Sequence, residues 1–140
     1  MIQKIINGII GGIRIRYDKT FRIYTESVEQ GLTEPCFSVL CLQSMSEAKA
    51  GTRHSRTYPC IIRYFPDSED EPLQECQSVA EDLYELLEVI DIGGKRIRGK
   101  DMKGDIEDGV LQFQITYTGF VLATNSETTM EELEVRTDGS

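Results

Sequence analysis

Few residues in this chain could do chemistry: one histidine, four cysteines and a large population of carboxylates. Nucleophilic catalysis needs a nucleophile and a base within hydrogen-bond reach, the base itself oriented by a third group. His54 stands instead in a polar stretch, between Arg53 and Arg56, whose charge favours the neutral imidazole, and no local motif pairs it with a thiol or hydroxyl. Cys36, Cys41, Cys60 and Cys76 include no CxxC spacing, and a single histidine cannot complete a standard zinc set. Cys36 and Cys41 are five apart on a predicted strand and so point to opposite faces. Each cysteine lies in an apolar pattern, so buried free thiols in a reducing compartment are expected. GIIGG at residues 8–12 is not a dinucleotide loop, and GKRIRGK at 94–100 lacks the Gly-Lys-Ser/Thr ending of a phosphate loop. The acids include no DxDxDG calcium loop. The sequence therefore assigns no catalytic residue, no metal and no cofactor.

The distribution of charge is more informative. Every charged residue from Asp67 to Asp91 is acidic, whereas Lys49, Arg53, His54 and Arg56 form a locally basic arm and Lys95, Arg96, Arg98, Lys100 and Lys103 a basic stretch. With a net charge of -9, bulk attraction to nucleic acid or to an anionic membrane is not expected. Segments of opposite sign suit contacts between protein surfaces, and Glu81, Asp82, Glu85 and Glu88 are the acidic candidates for contacting a subunit or partner. The bland alternative is a solvated helix face.

The elements that must carry these residues follow from periodicity. Ile2, Ile5, Ile6, Ile9, Ile10 and Ile13 form one helical face, weakened by Gly8, Gly11 and Gly12, each costing about 1 kcal/mol against alanine. Short strands are predicted at 21–26, 36–43 and 58–65, the last two joined by a long polar loop, 44–57. A second helix begins near Pro72, capped by Asp70 or Glu71. It carries the apolar stripe Leu73, Cys76, Val79, Ala80, Leu83, Leu86, Leu87 and Ile90, and Gly93-Gly94 stops it. A basic strand is read near 95–100. VLQFQITYT at 110–118 is a strand with Leu111, Phe113, Ile115 and Tyr117 on one face and Gln112, Gln114, Thr116 and Thr118 on the other, and FVLAT extends it past Gly119.

These elements predict an α+β domain: a single mixed or antiparallel sheet packed by the N-terminal helix and the central amphipathic helix, with a long loop between two central strands. The domain is read over residues 1–123, followed by an acidic, mobile tail at 124–140. The spaced isoleucines at the start make neither a secretory signal nor a membrane span, which places the chain in the cytoplasm where it is made. Hydrophobic residues at 39% and charged residues at 28% are ordinary for a globular domain rather than a disordered chain.

The order of elements, together with MIQKIINGIIGGIR, EPCFSVLCLQ, RTYPCIIRYFP and GVLQFQITYTGFV, resembles the small tail-terminator or tail-completion proteins of contractile-tailed phages and of phage-like prophages in Gram-positive bacteria. The resemblance covers most of the chain apart from the acidic tail. It implies a structural, non-enzymatic protein of the virion tail, assembled in the host cytoplasm. It also implies a six-fold ring on the last ring of the tail tube, with the tube protein and the head–tail connector as partners. The family has no diagnostic residues to carry over. A head–tail adaptor, a tail-tube subunit and a small ligand-binding or enzymatic α+β domain are the competing readings.

Overall fold

Three isoleucines one turn apart drive the first helix into the core. α1 spans Ile2–Arg14, and Ile5, Ile9 and Ile13 are fully buried along one side of it. The computed structural model describes residues 1–25, 32–42, 45–48 and 53–122. After α1 come β1 (Arg22–Tyr24), β2 (Cys36–Cys41), β3 (Met45–Ala48) and β4 (Arg53–Phe65). They are followed by α2 (Pro72–Leu86), β5 (Val89–Ile92), β6 (Lys95–Glu107) and β7 (Val110–Leu122). The strands form one mixed sheet in the order β1-β2-β4-β7-β6-β5, with β3 paired to the first part of β4. Only β1 and β2 run parallel; the other pairings are antiparallel. The fold is α+β, with both helices packed on one sheet face.

On β7 that face is the alternate set the sequence indicates. Phe37, Val39, Ile62, Tyr64, Leu111, Phe113, Ile115 and Tyr117 are buried there against α1 and α2. Tyr17, Phe37 and Tyr64 form an aromatic run, with Tyr17 and Phe37 edge-on at 5.1 Å and Phe37 and Tyr64 at 4.9 Å between ring centres. Offset and edge-on contacts of this kind add about 0.5–1.5 kcal/mol beyond area burial.

The glycines of α1 do more than weaken it. A Cβ at Gly8 would lie 2.8 Å from the Asp91 carbonyl oxygen, and one at Gly12 would lie 3.0 Å from a Leu87 methyl. Both glycines are buried, so their bare backbone lets α1 sit directly on β5 and the end of α2. Helix propensity is sacrificed for close approach, and the isoleucine packing offsets the cost.

The structure corrects four local expectations. First, α2 ends at Leu86, and Ile90 belongs to β5; Gly93 and Gly94, both at positive φ, make the β5–β6 hairpin turn rather than a helix stop. Second, Leu73 is not in the core but 55% exposed at the helix start. Third, Glu71 is the N-cap without a side-chain cap bond; its own N–H donates to Ser68 Oγ at 3.0 Å. Fourth, the polar segment 44–57 is largely strand: β3 pairs with β4 from Met45↔Thr57 to Ala48↔His54, and β4 begins at Arg53. The pairing forms a strand there with no apolar alternation in the sequence to announce it. The expected acidic tail, 124–140, lies outside the described residues.

Candidate functional site

The acidic face of α2 is where the sequence places its contact candidates, and most of them have partners inside the chain. Asp82 accepts a hydrogen bond from the Tyr17 hydroxyl and an ion-paired one from Arg16 at 2.6 Å. Glu85 meets the same Arg16 at 3.2 Å. Glu88 pairs with Arg98 at 2.8 Å. Burial first, and the Asp82 carboxylate second, push the Tyr17 phenol above its ordinary range. These contacts fasten the segment after α1 to α2, and the start of β6 to the connection between α2 and β5. Among the described residues, Glu81 is the exposed candidate on this helix with no ion-pair partner.

The basic candidates divide in the same way. Lys49 lies outside the described residues, and so do the side chains of Arg53 and His54, although both backbones pair with the end of β7 at Leu122 and Val121. Arg56 is half-buried: its Nε is enclosed without a hydrogen-bond partner, and its guanidinium lies against the Tyr58 hydroxyl. Lys103 is 3.6 Å from Asp105. Lys95, Arg96 and Lys100 are exposed and have no ion pair with any described residue.

Strand register then sorts the free charges by position. Pairing of Arg56 with Gly119 and of Gly99 with Tyr117 puts the start of β4, the end of β7 and the β5–β6 hairpin at one end of the sheet. Pairing of Tyr64 with Leu111 and of Glu107 with Val110 puts the end of β4 and the β6–β7 turn at the other. The first end carries Lys95 and Arg96, while Lys100 lies further in, paired with Thr116 at the middle of β7. The second carries exposed Asp67, Glu69, Asp70, Glu71, Glu107 and Asp108. Sequence reasoning saw the acids at 67–71 only as part of a long acidic run, and missed Glu107 and Asp108 as part of the same surface. Their signs are legible, but their gathering at one end requires the register.

Both ends are held in place. The Glu75 carboxylate accepts the Tyr64 hydroxyl and the backbone N–H groups of Asp67 (3.1 Å) and Ser68 (3.0 Å), fixing the turn that presents the acids. Asp91 accepts the Gly94 N–H at 2.8 Å and braces the basic hairpin.

No reactive constellation stands beside these surfaces. All four cysteines are buried as free thiols, Cys41 directly across from Cys60 on β2 and β4, and burial pushes the Cys36 thiol up to about 11. Among the described residues no cluster of three or more His, Cys, Asp or Glu side chains could hold a metal ion. A groove of about 410 Å³ between α1 and β5 is lined largely by Gly8, Gly11, Gly12, Ile15 and Val89, with Asn7, Asp91 and Arg96 at its polar positions. It holds no thiol, hydroxyl or imidazole. No described helix is long and apolar enough to cross a membrane.

What the arrangement displays is two charged surfaces of opposite sign, and comparison with known families supplies the family. The family model described as phage tail terminator protein matches residues 4–129. The chain belongs to the phage tail terminator family. Its role is therefore that of a structural component of a phage tail that contacts other tail proteins. No curated protein matches this terminator chain. One solved structure is similar over 84% of this chain and 93% of its own, at 12% identity and a TM-score of 0.44, too distant to carry any argument.

Proposed function

We propose that this chain closes the free end of a tail tube as a homo-oligomeric ring, a hexamer, which ends tube polymerisation and offers a surface to the head–tail connector. The family match over residues 4–129 carries this reading. The two unlike ends of the sheet support it, because a ring needs two different surfaces on each subunit that meet and close by rotation. The protein acts without catalysis or cofactor, in the host cytoplasm during assembly and in the virion tail thereafter. The contact candidates are the described charges without an ion-pair partner, Lys95 and Arg96 at one end, Lys100 further along β6 and Glu81 on α2, together with Lys49 and Arg53 for the tube. Asp82, Glu85, Glu88 and Arg98 hold the subunit itself together.

The test is polymerisation of the cognate tail-tube protein with and without this chain, read by negative stain, with native mass by light scattering alongside. Tubes of arrested length bearing a ring-shaped cap are expected, and the double reversal Lys49→Glu/Arg53→Glu should release the arrest without unfolding the subunit. Long tubes built from this chain alone would reassign it as a tube subunit. Unarrested tubes in the presence of the wild type would end the terminator reading.

A further inference from the structure

The two charged ends cannot satisfy each other within one subunit. β6 runs from Lys95 at the basic end to Glu107 at the acidic end. At about 3.3 Å per residue the strand between them is at most on the order of 40 Å long, and even with the irregularity at Lys100–Lys103 its ends lie more than one Debye length apart at physiological salt. Arg16 is paired with Asp82 and Glu85, and Arg98, next along β6 from the basic hairpin, with Glu88, so neither is free to join the two ends. The opposing charges near each end are fewer: Asp91 and Asp101 beside the basic hairpin, Arg22 and Arg63 towards the acidic turn. Of these, Asp91 already accepts the Gly94 N–H.

We infer that copies of this chain associate head to tail, with Lys95 and Arg96 of one subunit seated on Asp67, Glu69 and Asp70 of the next. The inference rests on the ring-forming reading above and names its subunit interface. A second copy is the occupant because the chain carries both halves of the complement, at opposite ends and with the same polarity in every subunit. Each addition then leaves one basic and one acidic end free, as a heterologous contact does, and the repeat closes into a ring when each subunit is rotated against the last. Preorganisation adds to the fit. Glu75 clamps the acidic turn and the Gly93-Gly94 turn sets the hairpin, so little ordering cost falls on association.

The deciding experiment uses two charge-reversed full-length variants: Lys95→Glu/Arg96→Glu, with two acidic ends, and Asp67→Lys/Glu69→Lys/Asp70→Lys, with two basic ends. Each is assayed alone and in equimolar mixture, by native mass at low salt and by arrest of tail-tube growth, after far-UV circular dichroism shows a folded subunit. Each alone should lose association at least about tenfold and fail to arrest tubes. The mixture should recover both, because every contact between unlike variants again joins opposite charges. Wild-type behaviour of either variant alone, or no recovery on mixing, overturns the interface while leaving tube capping by the wild type intact. A chain lacking residues 123–140 forms the third arm. If basic-end reversal weakens association only in that truncated chain, the acidic tail and not a second copy is what the basic end binds, and the inference is overturned. Failure of the wild type both to associate and to arrest tubes removes the function and the interface together.

Discussion

The two faces of the central sheet are built from the same strands and do opposite work. On β7, Phe113 and Tyr117 are fully buried under the helices, while Gln114, next to Phe113, is exposed on the other side. On β2, Val39 is buried and its neighbour Leu40 is 46% exposed. No described helix covers the second face. Stability therefore resides on one side of the sheet, and the other side tolerates polar and apolar residues alike. Because neighbouring residues share backbone and register, substituting them in pairs isolates the face as the variable.

The largest effect should come from ionising the covered face as a whole. Tyr17, Tyr58, Tyr64 and Tyr117 are all buried there, and desolvation is the leading cause that raises each phenol above its ordinary value of 10.0. Hydrogen bonds to Asp82 and Glu75 raise Tyr17 and Tyr64 further, while Arg56 pulls Tyr58 partly back. The unfolded chain therefore releases these protons first, near pH 10, and above that pH the native state binds more protons than the unfolded one. The stabilisation is fully present below pH 10 and falls as pH rises through the folded-state values. Phenolate absorbance and far-UV circular dichroism should change together, in one cooperative alkaline transition. Non-cooperative titration of all the phenols near pH 10, in a chain that keeps its secondary structure, would mean that the covered face is open to water.

Second in size is the pair Phe113→Ala and Gln114→Ala. Phe113 is fully buried, with Tyr84 edge-on at 5.0 Å, so its truncation should cost about 3–5 kcal/mol by urea denaturation. Gln114→Ala should stay within about 0.5 kcal/mol of wild type. Equal losses at the two positions would show that something covers the open face in solution.

Much of the covered face was legible. The alternation of Leu111, Phe113, Ile115 and Tyr117 names both the strand and its buried side, and the isoleucine period names α1. The segment from Leu86 to Ile92 was ambiguous for a physical reason. Leu87 and Ile90 continue the helical stripe, but Ile90 and Ile92 also satisfy a strand period, and burial in the core is compatible with either. Only pairing with β6 decides it. The strands at 45–48 and 53–57 were illegible because neither carries an apolar alternation. The charged ends were legible in sign and not in place. Asp67 and Glu107 are far apart in sequence, and only the antiparallel register sets them at the same end.

The smallest effects should come from α1, where the contrast between a covered and an uncovered side narrows to single methyl groups. Gly8→Ala improves helix propensity by about 1 kcal/mol. Its new Cβ, however, meets the Asp91 carbonyl at 2.8 Å, the Ile90 Cδ1 at 3.1 Å and the Ile92 Cγ2 at 3.2 Å. The side chains can shift, but the carbonyl belongs to a paired strand, so α1 must lift off β5. Overpacking of this kind costs about 1–3 kcal/mol and should outweigh the propensity gain, lowering the thermal midpoint. Gly11→Ala adds the same methyl group to the same helix at an exposed position with nothing within 4 Å, so only the propensity gain of up to about 1 kcal/mol is left and the midpoint should rise. Opposite signs at two glycines three residues apart would locate the α1–β5 contact at Gly8. A stabilising Gly8→Ala would show that α1 rests on side chains rather than on the β5 backbone, and the close approach argued for its glycines would not hold.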